Sequence, residues 1–499
     1  MPEAIKDSQY HFCRDLPTKP QPEMGRILVT GATGYIGGRL VPELLERGYQ
    51  VRIMVRVPSS VHKERWPDAE IVVADVLDIG GVKKAFEGIH TAYYLVHSLL
   101  LGKKHFESAD VEGAINFRMA AEEMGVQRII YLGGLGDLRS ALSPHLRSRI
   151  EVGRELGKGK VPTTILRAAI ILGSGSASYE ILTNIAKKMP IILIPYWTKA
   201  QCQPIAIRDV IKYLVGTLEC PETTGKSFDI GGTDVLSYEK MIRILADMLG
   251  KKTVSFPRFF SGLRFFAILA NLFTPVPWPI ILALLEGLRN NVVCQDNAIM
   301  KLIPFETLTF KESIVRAMSL EDQDNVHTRW SDAYPPAHSL AIKLKELDFS
   351  PKFIKTYSRI TNKDAASVFN AACMIGGKEG WFQNNWMWRL RGRVDSMLGG
   401  VGIARGRRSS SGLRVNDVID FWRVEDLKPA RKLLLRAEMK LPGKAWLEFN
   451  IDRSEHCNKL SITAYFMPRG IFGDIYWYMF LPFHGIIFKD LLKQIVIKG

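Results

Sequence analysis

The segment that most constrains this chain is a short apolar run leading directly into a glycine-rich turn. It reads Arg26-Ile27-Leu28-Val29-Thr30-Gly31-Ala32-Thr33-Gly34-Tyr35-Ile36-Gly37-Gly38-Arg39-Leu40. Residues 27–29 are too few for a helix and are typical of a buried parallel strand. Leucines then recur at helical spacing, and a second apolar run follows at 51–55. This order predicts a nucleotide-binding βαβ unit, with a purely structural turn as the alternative.

Three glycines of this turn follow one another at intervals of three residues. In such a turn the first glycine allows a sharp bend, and the second lets the backbone approach a pyrophosphate. The third lets the next helix pack closely on the sheet, with its first N–H groups directed at the phosphates. The motif therefore predicts a dinucleotide site formed by Thr30, Gly31, Thr33, Gly34, Tyr35, Ile36 and Gly37.

The residue that ends the second strand indicates which dinucleotide is bound. A site that prefers NAD carries a carboxylate there, to hold the ribose 2′-hydroxyl. Here the strand ends in Arg56 and is followed by Ser59, Ser60 and Lys63. A guanidinium with nearby hydroxyls suits a 2′-phosphate, so NADP(H) is expected over NAD(H). The alternative is that Arg56 is an ordinary solvated residue at a strand end.

Further short apolar runs at 71–74, 91–96, 129–132 and 164–166 alternate with helical patterns. This alternation predicts an α/β fold with a doubly wound parallel Rossmann sheet. Ligands of such sheets lie at the carboxyl ends of the strands. The residues that follow the predicted strands are therefore candidate cofactor neighbours, although each can equally be an ordinary loop residue: Asp75, Val76, His97, Ser98, Gly133 and Gly134.

Composition is that of a folded protein with a basic surplus. The chain has 499 residues, enough for two or three domains, and a formal net charge of +16. Residues 321–499 carry 28 Lys and Arg against 19 Asp and Glu, but no nucleic-acid-binding signature accompanies them. Six scattered cysteines form no C-x-x-C pair, and no signal peptide is expected at the acidic start. We therefore expect a cytoplasmic protein without a metal site or a nucleic-acid partner.

One uncharged stretch, residues 265–285, is long enough to span a bilayer. Prolines at 275, 277 and 279 interrupt it, which favours two short apolar helices separated by a turn. These helices are expected to line a pocket or a core. The alternative is peripheral contact with a membrane, beside Arg258 and Arg264.

The glycine motif, Asp75, and the segments Leu166-Arg167-Ala168 and Gln203-Pro204-Ile205-Ala206-Ile207-Arg208-Asp209-Val210 resemble an atypical or extended short-chain dehydrogenase/reductase. The resemblance covers residues 24–320 and is greatest to the NmrA-like branch. That branch also resembles an accessory subunit of respiratory NADH dehydrogenase. The family implies a Rossmann fold, a nicotinamide cofactor and an oxidoreductase activity.

The chain departs from this family at the expected active site. Catalytic members have a hydroxyl residue after the fifth strand and a Tyr-x-x-x-Lys on the next helix. Here the strand ends in Gly133 and Gly134, and His145 and Arg149 stand in register with the tyrosine and the lysine. The i, i+4 spacing places both on one helix face, where a neutral imidazole beside a fixed cation could transfer a proton. The alternative is that His145 caps the helix and Arg149 holds a cofactor ribose or phosphate.

The pattern changes after a Pro-marked linker at 326–349. A strand, two helices, four further strands and an apolar helix after Pro482 resemble the helix-grip, START-like (SRPBCC) fold. The chain as a whole resembles a bacterial group that carries a C-terminal domain of unknown function. The helix-grip fold implies an apolar ligand held between sheet and helix. Six of the ten tryptophans lie between Trp381 and Trp477, which suits a hydrophobic cavity, a membrane-facing rim or plain core packing. The arginines at 405, 407 and 408 suit an anionic headgroup or a solvated hairpin.

These observations predict four segments: a tail at 1–23, an NAD(P)-binding domain at 24–325 with a substrate lobe at about 235–320, the linker, and a helix-grip domain at 350–499. We expect an NADP(H)-dependent oxidoreductase acting on a hydrophobic carbonyl or quinone-like substrate. The alternative is a non-catalytic NAD(P)H-binding regulatory or assembly protein with a lipid-binding domain.

Overall fold

The computed structural model describes residues 11–499, apart from positions 57, 59, 98–105, 137–141, 190, 256–261, 275, 277, 323–327, 334–343, 345–346, 348, 378–379, 399, 403–411 and 455–456. Several expectations fall outside the described residues: those on Ser59, Ser98, Arg258, two of the prolines, the arginines at 405–408 and much of the linker. The chain divides into two compact units. The first comprises residues 1–267 and 279–338, and the second comprises residues 268–278 and 339–499.

The first unit is built on a parallel sheet that, in the described residues, has seven strands in the order β11-β6-β5-β4-β1-β2-β3. The prediction of a doubly wound parallel sheet is confirmed. Three two-stranded pairs accompany it: β7 with β10, β8 with β13, and β9 with β12. The strands are β1 Arg26–Thr30, β2 Val51–Val55, β3 Glu70–Val73, β4 Ile89–Tyr94, β5 Arg128–Gly134, β6 Thr163–Ala168, β7 Ile171–Leu172, β8 Ile191–Ile194, β9 Gln201–Cys202, β10 Ile205–Ala206, β11 Ser227–Ile230, β12 Leu236–Ser237 and β13 Lys252–Ser255.

Helices connect these strands and cover both faces of the sheet. They are α1 Gly37–Glu46, α2 Ser60–Arg65, α3 Ile79–Phe86, α4 Phe106–Glu123, α5 Pro144–Gly157, α6 Ala177–Lys188, α7 Ile207–Glu219, α8 Tyr238–Met248, α9 Leu263–Phe273, α10 Trp278–Gly287, α11 Ala298–Leu302 and α12 Phe310–Asp322. Residues 268–273 of α9 and the first residue of α10 fall in the second unit. The apolar helices α9 and α10 are both short, which confirms the expectation of two short helices in this stretch.

The alternation of side chains along β1 shows why both faces must be covered. Ile27 and Val29 lie in one hydrophobic core, together with residues of α1 and α7. Leu28 lies in another, together with residues of α3, α4 and α5. All three side chains are fully buried. A strand with apolar residues on both faces is stable only between two helical layers, which places its carboxyl end, and the glycine turn, at one edge of the sheet.

The second unit contains an antiparallel sheet of, among its described residues, six strands in the order β14-β19-β18-β17-β16-β15. A hydrophobic core of its own includes Trp381, Trp388, Trp422 and Trp477. The prediction that Asp364 caps a helix is confirmed, since its carboxylate accepts hydrogen bonds from the backbone of residues 366 and 367. The elements are β14 Phe353–Thr361, α13 Ala365–Cys373, α14 Asn385–Met397, β15 Val418–Ile419, β16 Trp422–Lys428, β17 Lys432–Ala437, β18 Gly443–Arg453, β19 Asn458–Pro468 and α15 Gly470–Lys498.

The C-terminal helix is longer than the sequence predicts. We expected it to begin after Pro482, but it begins at Gly470 and continues through that proline. α15 packs against β14 and β19, with Trp477 stacked on Phe353 at a ring distance of 5.2 Å. Among the described helices it is the one that is long and apolar enough, by length and composition alone, to cross a membrane. Only 17% of its most apolar window is buried.

Candidate functional site

The glycine turn has the close contacts that require glycine. Gly31 has a φ of +66°, and a Cβ atom there would lie 2.5 Å from the carbonyl oxygen of Leu95. A Cβ atom at Gly37 would collide with the carbonyl oxygen of Gly31. Gly31 thus lets β1 turn beside β4, and Gly37 lets α1 start directly against that turn. A Cβ at Gly34 would meet only the Gly31 carbonyl oxygen, at 3.1 Å, so this side of the turn stays open to a phosphate group.

The remaining predicted residues of the motif hold the turn in place. The Thr30 hydroxyl donates to the carbonyl of Tyr93 at 2.8 Å and accepts the N–H of Leu95 at 3.2 Å. These bonds tie the ends of β1 and β4 together. Thr33, Gly34 and Ile36 lie in the turn itself. The Tyr35 ring lies under the Arg39 guanidinium, 4.3 Å away, so this side chain takes part in packing α1.

Arg56, Asp75 and Val76 lie at the carboxyl ends of the neighbouring strands β2 and β3. Arg56 is exposed directly after β2, and the Asp75 carboxylate is close enough to act on its charge. Asp75 also accepts the N–H of Leu77 at 3.1 Å. The Val76 side chain is buried, and its carbonyl accepts a hydrogen bond from Asn116. The structure therefore places these three candidate cofactor neighbours together at one sheet edge.

On the other side of the glycine turn, three side chains form a hydrogen-bonded chain. His97 follows β4, Asp110 lies on α4, and His145 lies on the first turn of α5. The Asp110 carboxylate is 2.9 Å from Nδ1 of His97. Nε2 of His97 is 3.2 Å from Nδ1 of His145. Asp110 is buried, whereas the two imidazoles are partly exposed.

Two further residues complete this cluster. The Ser148 hydroxyl donates to the Asp110 carboxylate at 3.1 Å. Arg149 donates to the strand-end carbonyls of Leu132 and Val96, and its guanidinium lies 4.9 Å from the centre of the Tyr131 ring. The predicted pair of His145 and Arg149 thus does share one side of α5. The Arg149 cation is engaged with the backbone of β5 and of the segment that follows β4.

The surrounding protein disfavours the charged form of both imidazoles. Burial lowers the pKa of His145 well below its ordinary value, and the neighbouring His97 and Arg149 lower it further. Burial also lowers the pKa of His97, against the opposing effect of its hydrogen bond to Asp110. A carboxylate only accepts hydrogen bonds, so Nδ1 of His97 carries a proton and its Nε2 accepts. Nδ1 of His145 then donates to His97, which leaves Nε2 of His145 as a proton acceptor.

The structure also shows which residue caps α5 and where the two glycines after Leu132 lie. Ser143, whose hydroxyl accepts the N–H of Leu146, is the N-cap of α5, so His145 is not the capping residue. Gly133 and Gly134 belong to β5, which is longer than predicted. Gly133 is buried against Tyr131, and a Cβ atom at Gly134 would lie 3.2 Å from Leu146 and 3.4 Å from Arg149. The close approach of α5 leaves little room there for the hydroxyl side chain of the related enzymes.

Asp110 is the residue that sequence reasoning missed. It lies on the face of α4 that also carries Ala114, Phe117 and Ala121, all of which are buried. A carboxylate at that spacing on an apolar helix face was the available signal. No cluster of three or more possible metal ligands occurs among the residues that the structure describes.

Two family comparisons divide the chain as the structure does. Residues 31–182 match a family described as NAD(P)H-binding. Residues 351–491 match a family described as a protein of unknown function, DUF2867.

Relatives of known activity match parts of the first unit. A 3-beta-hydroxysteroid dehydrogenase of Mycolicibacterium neoaurum is 36% identical over 118 residues, 22% of this chain and 32% of that protein. A divinyl chlorophyllide a 8-vinyl-reductase of Oryza sativa subsp. indica is 26% identical over 244 residues, 45% of this chain and 60% of that protein. Subunit 9 of the NADH dehydrogenase [ubiquinone] 1 alpha subcomplex of Arabidopsis thaliana is 26% identical over 234 residues, 44% of this chain and 57% of that protein. The match thus spans only about a third of the first of these relatives.

Among solved structures, triphenylmethane reductase of Citrobacter sp. complexed with NADP(H) is similar, with a TM-score of 0.49 and 20% identity. The similarity covers 58% of this chain and 99% of that one. The match to the NAD(P)H-binding family and the parallel seven-stranded order agree with each other. The first unit therefore contains an NAD(P)H-binding Rossmann domain like those of short-chain dehydrogenases/reductases, and residues 351–491 match a family of unknown function.

Proposed function

We propose that the chain is an NADP(H)-dependent oxidoreductase in which His145 transfers a proton to or from a hydrophobic carbonyl or quinone-like substrate. The observation that supports this most strongly is the chain Asp110–His97–His145 at the carboxyl ends of the strands, beside the glycine turn. Ligands of a doubly wound sheet bind at that edge. Proton transfer by a positioned imidazole accelerates such reactions by about 10²–10⁴-fold.

The main chain of 31–37 and Arg56 would hold the cofactor, which supplies or accepts the hydride. In the direction of alcohol oxidation, Nε2 of neutral His145 takes the hydroxyl proton as hydride leaves the carbon. The positive charge that forms on His145 is stabilised through His97 by the Asp110 carboxylate. In the direction of carbonyl reduction, protonated His145 returns that proton to the oxygen as hydride adds to the carbon.

The lowered pKa of His145 gives the two directions opposite pH dependence. Oxidation needs the neutral imidazole, so its rate is already at a plateau at neutral pH. Reduction needs the protonated imidazole, so its rate falls about tenfold per pH unit above the pKa of His145.

We further propose that residues 350–499 form a helix-grip, START-like domain that binds the apolar substrate. Two observations support this. The core under the sheet is rich in aromatic side chains, with Trp381 stacked on Trp388 at 4.1 Å. The buried indole N–H groups of Trp388 and Trp422 have no hydrogen-bond partner among the described residues. A ligand with a carbonyl oxygen could satisfy such a donor.

Specific observations favour a second candidate, a non-catalytic NAD(P)H-binding regulatory or assembly protein. Positions 133 and 134 are glycines and not hydroxyl residues, and Arg149 is engaged with backbone carbonyls. The NADH dehydrogenase subunit of Arabidopsis thaliana that is 26% identical over 234 residues belongs, by its name, to a subcomplex.

Turnover of the purified chain with NADPH and a panel of apolar ketones and quinones separates these candidates. We expect oxidation of NADPH by wild type and a loss of about 10²-fold or more in His145→Ala. His90→Ala is the matched control, because His90 lies at the opposite end of β4 and should leave turnover unchanged. Equal turnover by wild type and His145→Ala, or none by either while NADPH still binds, would favour the non-catalytic candidate.

A further inference from the structure

One face of the C-terminal helix α15 exposes large apolar side chains to solvent. Phe472 is 80% exposed, Tyr478 is 63% exposed and Ile475 is 54% exposed. These belong to a stripe of residues three or four positions apart, which also contains Ile471, Met479, Phe483 and Ile486. A stripe of this size on an isolated soluble domain marks an interaction surface.

The stripe lies in an uncharged part of the helix. Residues 475–488 contain no Asp, Glu, Lys or Arg. The one carboxylate in the first turns, Asp474, forms an ion pair with Lys352 at 2.8 Å. Exposed basic residues occur at both ends of the stripe, namely Lys352, Arg469, Lys489 and Lys493. An apolar face with cationic ends is complementary to a surface that is anionic outside and apolar beneath.

The opposite face of α15 is occupied. Trp477, Phe488, Leu491, Leu492 and Ile495 are buried in the core of the second unit. The helix therefore cannot cross a bilayer without leaving its own sheet, although its length and composition would allow a crossing. A helix held on one side by its own domain can instead lie along a surface.

A second exposed apolar stripe occurs on α14. Trp386, Leu390, Val394 and Leu398 follow one another at intervals of four residues, and each is between 43% and 60% exposed. Arg389 and Arg393 are exposed beside them. An aromatic residue, aliphatic residues and arginines in this arrangement are typical of helices that lie in a membrane interface.

The two helices rest on the same turn between β17 and β18. Arg391 of α14 donates to the Lys440 carbonyl at 2.9 Å, and Asp395 accepts the N–H of Lys440 at 2.7 Å. At the start of α15, the N–H of Arg469 donates to the Pro442 carbonyl at 2.8 Å. The second half of α14 and the start of α15 therefore lie against the same turn of one unit.

We propose that this surface, the exposed stripes of α14 and α15, docks the protein on an anionic lipid bilayer without spanning it. The surplus of nine positive charges in residues 321–499 supplies the attraction at a distance. Insertion of the aromatic and aliphatic side chains supplies the affinity at contact. The surface differs from the 265–285 stretch for which the sequence suggested membrane contact, and it is independent of the proposed catalysis.

Flotation of the full-length protein with lipid vesicles tests the proposal. We expect wild type to float with vesicles of phosphatidylcholine and phosphatidylglycerol and to float less with phosphatidylcholine alone, in a manner weakened by salt. Ile475→Asp should reduce the bound fraction on anionic vesicles about tenfold or more, because a carboxylate replaces an exposed apolar side chain that would insert into the bilayer. Val315→Asp is the matched control, since Val315 is equally exposed, at 51%, on a helix of the first unit.

Phe472→Asp serves as a second variant if Ile475→Asp fails to fold, which far-ultraviolet circular dichroism would show. Two outcomes would overturn the proposal. In the first, wild type stays in solution with anionic vesicles. In the second, Ile475→Asp and Val315→Asp bind vesicles equally well. A concentration-dependent dimer that Ile475→Asp abolishes, with no vesicle binding, would assign the surface to a second copy of the chain.

Discussion

A single buried carboxylate fixes the tautomers of the two imidazoles at the candidate site. Asp110 hydrogen-bonds to His97, and its charge opposes the effect of burial on the pKa of both His97 and His145. Because a carboxylate fixes the tautomer of His97, it also fixes which nitrogen of His145 faces a substrate.

Asp110→Asn should therefore change both the rate and its pH dependence. We expect turnover to fall on the order of tenfold to a hundredfold, since the charge that stabilises protonated His145 is removed. As pH rises, the rate of carbonyl reduction should start to fall at a lower pH in Asp110→Asn than in wild type, because losing the carboxylate lowers the pKa of His145 further. Rate profiles from pH 9 down through the pKa of His145 measure both effects.

Asp78→Asn is the control for this prediction. Asp78 caps α3 through the N–H of Gly80, a role that asparagine fills about as well. This variant should keep the wild-type pH profile. An Asp110→Asn profile that coincides with wild type would show that the carboxylate does not act on His145.

His484 on α15 makes a separate pH-dependent contribution, to the stability of the second unit. Burial lowers its pKa from 6.5 to about 4, and its Nδ1 atom has no partner among the described residues. As pH falls below 6.5 the unfolded chain takes up a proton first, so stability present above that pH is lost progressively down to about pH 4. His484→Phe should remove this loss. The substitution should therefore raise the free energy of unfolding at pH 5 by about 2 kcal/mol more than it does at pH 8. Urea unfolding at the two pH values measures it, and an equal effect of the substitution at both would contradict it.

Sequence reasoning at this scale identified His97, His145 and Arg149 but assigned them incompletely. His97 was expected beside the cofactor, which stays a prediction, and the structure shows that it also links Asp110 to His145. The reason is separation: Asp110 lies 13 residues from His97, and His97 lies 48 residues from His145. Only the packing of α4 against α5 brings them together, and no local pattern encodes that contact.

At the scale of elements, the turn between β1 and α1 is the most local feature of the fold and the one best predicted. Its glycines are required by contacts within a few residues or with the adjacent strand. We expect Gly37→Ala to destabilise the first unit by on the order of 1–3 kcal/mol, because the added methyl group would meet the Gly31 carbonyl. NADPH binding should weaken in parallel, because the same turn shapes the phosphate site.

Gly157→Ala is the matched control. Gly157 ends α5, and a Cβ atom there would meet nothing within 4 Å. This substitution should be neutral or should stabilise by about 0.5–1 kcal/mol. Thermal unfolding of both variants makes the comparison, and equal melting temperatures would show that the turn can relax around a methyl group.

Other elements were predicted less well, for physical reasons. The seventh strand of the sheet, β11, lies beyond the predicted six, because it follows a long connection that includes several two-residue strands. The start of α15 was placed thirteen residues too late, because a proline normally marks a helix end. Here packing of Trp477 and its neighbours on the antiparallel sheet outweighs the missing hydrogen bond.

At the scale of the whole molecule, two units with separate hydrophobic cores are joined in one chain. The first matches an NAD(P)H-binding family, and the second matches a family of unknown function. The fold class of the first unit could be predicted because the alternation of short apolar runs with helical patterns is visible in the sequence itself. Substrate and partners depend on surfaces and cavities that only assembled elements create.

NADPH binding at the edge of the first sheet is the central claim, and a fluorescence titration with NADPH and NADH tests it directly. We predict that wild type binds NADPH at least about tenfold more tightly than NADH, since Arg56 gains a charge-assisted contact with the 2′-phosphate. Arg56→Ala should bind the two nucleotides equally, whereas Arg26→Ala, at the opposite end of β1, should keep the preference. Failure of wild type to bind either nucleotide, or an undiminished NADPH preference in Arg56→Ala, would contradict the account.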